Sequence, residues 1–358
     1  MWPNPRIPYQ MSSERPRLSP LNGKPLMINP VVAIEYWPFD RPMPRGILPA
    51  PHGRPSEPPD VANYSWVEYG MRCGLPRIFD LLKQRGIKAS AWMNAQCADV
   101  YPSAAQRAVR DGWDFVGHSW FQRSLKEVED EEAEVRRSLA RLEQLTGTRV
   151  RGWFGAGGGE TTRTPEVLKR CGVEFTHDWL LDDLPCWMAT DEGPLLCLPY
   201  TWEINDVPMW AVQGHSSDEL IKRLSATLAV LERELEQNPR VLSIGLHPHI
   251  AGVPHRLYYL EKALDMLMNR SDTVFVTSGE IADWFVAADK RGLADLDAAL
   301  KGSPLSSTLD RTGSFPQADG ASPALPFLAH GASSTTLAAR LSPPPSPSQP
   351  PTWGSQAG

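Results

Sequence analysis

Cysteine is scarce: five residues (Cys73, Cys97, Cys171, Cys186 and Cys197) in 358, with no Cys-x-x-Cys pair among them. That spacing excludes a disulfide framework and a cysteine-rich zinc ribbon, and it reads as reduced, mostly buried thiols of a cytoplasmic protein. Long apolar runs are missing as well. No stretch approaches the roughly 20 residues that cross a bilayer, so no membrane span is expected. The opening "MWPNPRIPYQMSSERPR" lacks the apolar centre of a secretory signal. There is no Lys/Arg-rich run, and the formal net charge is −6, so no nucleic-acid partner is expected. The glycine run "GAGGG" at 155–159 fits neither dinucleotide nor P-loop spacing. Glu160 follows it where a phosphate site would place lysine, so the run reads as a flexible or close-approach loop.

What is present is ordinary globular material, 41% hydrophobic and 22% charged, flanked by two segments of biased composition. Residues 1–60 hold 15 prolines, which excludes helix and central strand from most of that stretch. Residues 1–27 read as an arm draped over a core. At the other end, 303–358 hold 10 prolines and 11 serines among 56 residues. Few large apolar side chains remain there to offset chain entropy, so 291–358 is expected to be a disordered tail. The folded domain is then expected at 28–290.

Inside that domain, short apolar stretches alternate with helical patterns. Strands are expected at 31–35, 88–94, 113–117, 150–154, 173–177, 195–199, 241–246 and 273–277. Helices are clearest at 124–146, with Ser124 and Glu127 as a capping box, and at 217–236. Shorter ones are expected at 67–85, 103–111, 165–171, 256–268 and 279–288. Strands alternating with helices imply parallel pairing, and seven or eight such units in about 260 residues suit a closed (β/α) barrel. The 173–199 region lacks a crossover helix, so the barrel is expected to be irregular.

In such a barrel, chemistry gathers where strands end. Those positions hold Glu35, Asn94, His118, Trp153, Asp183, Asn205 and His247 or lie close to them. A carboxylate directly after an apolar strand, as at Glu35, is costly unless it is paired or works in a cleft. His118 after its strand suits either a site or a backbone-bonded structural role. Asp182 and Asp183 suit a turn as well as a site. Trp37, Trp120, Trp153, Trp179, Trp187 and Trp202 could floor a pocket, though most must be ordinary packing. Three histidines crowd "LHPHIAGVPHR". His247 would point into the barrel mouth, His249 would sit on the loop, in solvent or just behind the residues of the site, and His255 begins a helix.

Read in order, "VAIEYW", "ANYSWVEYGMRCG", "FVGHSW", "GWFGAGGGETTRTPEVLKRCG", "HDWLLDDLP", "LPYTWEINDVP", "GLHPHIAGVPHR" and "VTSGEIADWF" resemble the allantoinase-like branch of the polysaccharide deacetylase (NodB-homology) family over about 28–288. The resemblance implies a distorted (β/α)7-type barrel that hydrolyses non-peptide carbon–nitrogen bonds, and a homo-oligomer. Its expected substrate is a small amide or cyclic ureide, with an amino-sugar polymer and a non-catalytic, saccharide-binding barrel as alternatives. Glu35 would be the general base and His247 the acid, with His118, Trp153, Asp183, Asn205, His255 and glycine-loop N–H groups around the substrate. Family enzymes that use a divalent metal, zinc for instance, carry an Asp-Asp pair and His-x-x-x-His. Here the matching positions are the single acid Glu35, then His118 and Gln122, so Glu35 and His118 are the candidate ligands and no cofactor is fixed.

Overall fold

The structure is a computed structural model and describes residues 4, 6–46, 57–289, 291–292, 294 and 296. Nearly all of the expected Pro/Ser-rich tail lies outside the described residues.

Strand β1 (Leu26–Ile34) is the hub of the sheet. It begins five residues earlier than its apolar pattern suggests, so residue 27 falls inside it. Leu26–Val32 pair parallel with β8 (Arg240–Leu246), Val31–Ile34 with β2 (Ser90–Met93), and Leu26–Ile28 with β9 (Thr273–Phe275). From β2 the sheet continues through β3 (Asp114–Gly117), β4 (Gly152–Trp153), β5 (Phe175–Thr176) and β7 (Leu195–Cys197), all parallel. The edge strand β6 (Cys186–Met188) alone pairs antiparallel, with β7. No helix separates β5, β6 and β7, the irregularity expected for 173–199. A parallel bridge from Asn205 to Gly245 and a hydrogen bond from Val241 N–H to the Asp183 carbonyl lie along the far edge of β8. The result is a curled, mostly parallel sheet wrapped by helices, the NodB-like (β/α) barrel.

The helices follow their apolar stripes, with instructive exceptions. Helix α1 (Val61–Tyr69) passes through a π-helical turn (Gly70–Gly74) into α2 (Leu75–Gln84). The short α3 (Cys97–Val100) and α4 (Pro102–Arg110) follow β2. Helix α5 (Glu131–Thr146) starts later than expected. Ser124 caps only a 3₁₀ turn, while Asp130 accepts from the Ala133 N–H and opens the helix proper. Gly147 ends it in the left-handed region, as its position suggests. Helix α6 is Thr164–Arg170, and α7 is Glu219–Glu234, four apolar residues of which are buried. The one-turn α8 (Pro248–Ala251) leads into α9 (Pro254–Met268), and α10 (Ser278–Ala288) follows β9 behind a complete capping box.

Strand alternation divides the core into two clusters. Ile28, Val32, Ile34, Ala91, Met93, Phe115, Trp153, Leu242, Ile244 and Leu246 belong to the cluster under the helices. Met27, Val31, Trp92, Val116, Phe154, Phe175, Leu196, Leu198, Tyr200 and Val241 form the other, inside the curl of the sheet. Continuing each inner series in steps of two reaches Glu35, Asn94, His118, His177 and His247. Two-residue periodicity therefore delivers polar side chains to one interior.

Candidate active site

Below the mouth, the interior is closed by polar groups that satisfy one another. Ser90 donates to Asn29 (2.9 Å), and Asn29 reaches Ser278 (3.2 Å). His177 Nε2 meets Ser278 Oγ at 2.9 Å, and its Nδ1 lies 3.3 Å from the Pro199 carbonyl. Burial pushes this ring down to about 3, so it is neutral. Above it stands an aromatic block. The Trp92 ring lies 4.1 Å from Phe154, 4.5 Å from Tyr200 and 4.8 Å from His177, centroid to centroid.

On this block sits the titratable cluster. Glu35, 5% exposed, accepts from Trp37 Nε1 at 2.7 Å through one carboxylate oxygen. Its other oxygen faces His118 Nε2 at 3.6 Å and His247 Nε2 at 3.5 Å. Burial alone would raise this carboxyl, but the two facing imidazoles outweigh it and hold Glu35 well below the usual range. His247 is gripped from behind by Asp206. One oxygen of that carboxylate accepts from its Nδ1 at 2.7 Å, the other from its backbone N–H at 2.6 Å. Burial would lower the His247 ring; the Asp206 and Glu35 carboxylates prevail and hold it up at about 9. His118 stacks on Phe154 and donates Nδ1–H to the Phe154 carbonyl at 2.7 Å, which turns Nε2 toward Glu35. Asn94 ties the strand ends together: its oxygen accepts from Tyr36 N–H at 2.9 Å, and its nitrogen donates to the His118 carbonyl and to Gln122 (3.3 Å).

Glu35, His118 and His247 are thus brought together, and the rest of the expected set is placed elsewhere. Trp153 points outward under the helices, and Phe154 takes the inner position. Asn205 is adjacent, with both ends of its amide engaged: its nitrogen donates to Tyr200 OH (2.6 Å) and its oxygen accepts from Val207 N–H (2.8 Å). Asp183 lies beside Val241, at the opposite end of β8 from His247. His255 is exposed on the first turn of α9. Of the two places expected for His249, the structure has the one behind the site: it is 3% exposed and packs edge-on against Trp37 (5.7 Å) and His247 (6.0 Å). Burial brings its ring down to about 3. Three of the glycine-loop N–H groups are committed as well: Gly155 donates to Asp178 (2.7 Å), Gly158 to Gly155 O (2.8 Å) and Gly159 to Ala156 O (3.3 Å). Asp206 and Trp92 escaped sequence reasoning. The signal for Trp92 was strand alternation; Asp206 follows a 3₁₀ turn (Trp202–Ile204) where no period operates.

The donor set does not fit a resident metal. Gln122, at the spacing of a second helical ligand, is a weak ligand and accepts from Asn94. His247 gives its Nδ1–H to Asp206 and turns Nε2 toward Glu35, which engages the ring in that pair. Zinc takes three or four donors from protein. Among the described residues no group of three or more His, Cys, Asp or Glu is arranged to hold an ion.

Residues 58–176, about a third of the chain, match the polysaccharide deacetylase family model. A putative polysaccharide deacetylase of Schizosaccharomyces pombe is 27% identical over 256 residues, which covers 66% of this chain and 79% of that protein. Among solved structures, the Puue allantoinase superposes with a TM-score of 0.67 at 25% identity, covering 76% of this chain and 94% of the other. A probable polysaccharide deacetylase from Pseudomonas aeruginosa PAO1 shares the fold, with a TM-score of 0.66 at 24% identity over 76% and 95%. Polysaccharide deacetylases are hydrolases of carbon–nitrogen bonds, and an allantoinase stands among this chain's structural neighbours. Among the described residues no helix is long and apolar enough to cross a membrane.

Proposed function

We propose that the protein hydrolyses a non-peptide carbon–nitrogen bond in a small amide or cyclic ureide, without a resident metal. The observation that carries this reading is the Glu35–His247–Asp206 line. A carboxylate held ionised faces, at 3.5 Å, an imidazole held protonated by a second carboxylate. Base and acid therefore stand at neutral pH in the opposite states that hydrolysis needs. Glu35 takes a proton from water as its oxygen adds to the carbonyl carbon. His247 then gives its Nε2 proton to the departing nitrogen as the carbon–nitrogen bond breaks. Each transfer contributes about 10²–10⁴-fold when so positioned. The Nδ1 bond to Asp206 fixes the ring orientation and stabilises its charge before transfer. The depth of the pair, 5% and 8% exposed, favours a compact substrate over a polymer strand, and the allantoinase neighbour supports a cyclic ureide.

The test is mass spectrometry of the protein incubated with cyclic ureides and N-acylated amino sugars, with and without chelator. Gain of one water on a ureide, unchanged by chelator and abolished by Glu35→Ala in folded protein, is the expected result. Chelator-sensitive release of acetate from amino sugars would refute both the substrate class and the metal-free mechanism.

A further inference from the structure

Two of the five cysteines stand directly opposite one another in the sheet. The antiparallel register of β6 and β7 pairs Cys186 with Cys197, Trp187 with Leu196 and Met188 with Leu195. The ladder on the other side of β7 fixes how the first pair meets. Leu196 and Leu198 send their N–H groups to β5, where the Glu174 and Thr176 carbonyls accept them. Backbone groups alternate sides along a strand, so Cys197 turns its own toward β6, and its pairing with Cys186 is of the hydrogen-bonded kind. Such partners hold their Cα atoms about 5.5 Å apart, inside the range of about 4.4–6.8 Å that a disulfide spans. Opposed side chains also leave the sheet on one face. Here it is the outer face: Cys197 belongs to the core under the helices, and Cys186 packs against that core. Burial, with the Cys186 thiol beside it, pushes the Cys197 thiol well up. The two differ in access, for Cys197 is 1% exposed while Cys186 is only half-buried, on the edge strand of the sheet. The other three cysteines are scattered over the π-helical turn (Cys73), α3 (Cys97) and the end of α6 (Cys171). Cys97 and Cys171 face the carbonyl oxygens of Ile34 and Glu132.

We propose that Cys186 and Cys197 are the site of a reversible disulfide that staples edge strand β6 to β7, formed by exchange with a low-molecular-weight disulfide such as oxidised glutathione. Cys186 opens the exchange because a small disulfide can reach it. Its thiolate attacks one glutathione sulfur, the glutathione disulfide breaks, and one glutathione leaves as thiolate and takes a proton from solvent. Cys197 then gives up its proton and attacks the Cys186 sulfur, and the second glutathione leaves. The protein loses two hydrogens and two electrons, and one oxidised glutathione becomes two reduced ones. Burial makes Cys197 a poor nucleophile on its own. The register, which holds it against the mixed disulfide, carries the second step. The bond closes the turn between the two strands and ends three residues before Tyr200, whose ring lies 4.5 Å from Trp92 in the barrel interior. Because it forms on the outer face, Leu196 and Leu198 keep their places inside.

The test is to incubate the full native chain with oxidised glutathione, alkylate the remaining thiols, digest, and map the cysteines by mass spectrometry. The expected product is a Cys186–Cys197 cross-linked peptide, lighter by two hydrogens and returned to free thiols by dithiothreitol. Cys197→Ser should stop at Cys186 carrying one glutathione, and Cys186→Ser should leave Cys197 untouched. Since the bond restricts the unfolded chain, the cross-linked protein should melt about 3–10 °C above the reduced one. Wild-type protein that halts at glutathionylated Cys186 with Cys197 free would overturn the proposal, as would two untouched thiols or a bond from Cys186 to another cysteine. A cross-link that lowers the thermal midpoint would overturn it as well, because the bond would then distort the register from which it is argued.

Discussion

Replacing Asp206 by asparagine tests the electrostatic core of the mechanism. In the folded protein burial opposes the charge on His247, and the Asp206 carboxylate is the largest favourable influence against it. Raising an imidazole from its ordinary 6.5 to about 9 amounts to roughly 3 kcal/mol in favour of the protonated ring. The sign follows from linkage. A raised folded-state value stabilises the protein fully below pH 6.5, and this contribution is lost as pH rises through about 9. Asp206→Asn removes the charge while keeping the shape, leaving only Glu35 to oppose burial. The alkaline limb of the pH–rate profile should then move down by more than about one pH unit, and kcat at pH 7.5 should fall by about 10²-fold. Denaturant unfolding at several pH values adds a second readout. The stability gap between wild type and variant should be widest below pH 6.5 and shrink toward pH 9.5. The weaker acceptor left for the His247 backbone N–H adds a constant cost of about 1 kcal/mol, which does not vary with pH and so separates cleanly. An unmoved alkaline limb together with a gap flat in pH would refute the argument that Asp206 charges His247.

His177 and His249 are both held neutral at about 3 by burial, so the unfolded chain binds more protons than the native one between pH 6.5 and 3. Stability should therefore fall as pH drops through that window, by up to roughly 4 kcal/mol for each ring; a urea midpoint constant from pH 6.5 to 4 would contradict this. Gly74→Ala would drive a methyl group into the Pro248 carbonyl, where the π-helical turn meets α8. It should cost about 2–4 kcal/mol, since rigid backbone stands in the way, seen as a thermal midpoint lower by about 5–15 °C. Tyr200→Phe removes the acceptor of the Asn205 amide and should lower stability by about 1–3 kcal/mol, while leaving the alkaline limb in place because neither His247 nor Asp206 loses a partner.

The barrel was legible because alternation is strict wherever a strand is long enough to show it. In "VVAIE" the inner face reads Val31, Ala33, Glu35, and in "DFVGH" it reads Asp114, Val116, His118. Position in the pattern, more than residue type, singles out these two acids and bases. The same rule fails where strands shrink. β4 is two residues long, so the parity of Trp153 rests on Gly152 and Phe154 alone, and the larger ring was assigned the inner place that Phe154 holds. Asp183 was misplaced because a loop after a strand was assumed to remain at the mouth. This one runs back along the barrel to the start of β8, where its carbonyl takes the Val241 N–H. Asp206 lies in a segment with no period to read, after a 3₁₀ turn.

How His247 is held explains why the histidine-rich loop could not be sorted by sequence. "HPHIAGVPH" offers three rings of one chemistry, and the chain separates them by packing. Gly70 and Gly74, four residues apart and so on one helical face, bring the π-helical turn against the backbone of His249 and Pro248. That contact draws the start of α8 inward and buries His249. His247, just before it, projects from the end of β8 toward Glu35, and His255 is left to the surface of α9. The two glycines lie some 175 residues from the histidines they sort. Close backbone approach of this kind fixes a catalytic side chain more tightly than a loop alone can. It follows that the protonation states argued for Glu35 and His247 depend on a contact made by "EYGMRCG", a motif with no chemistry of its own.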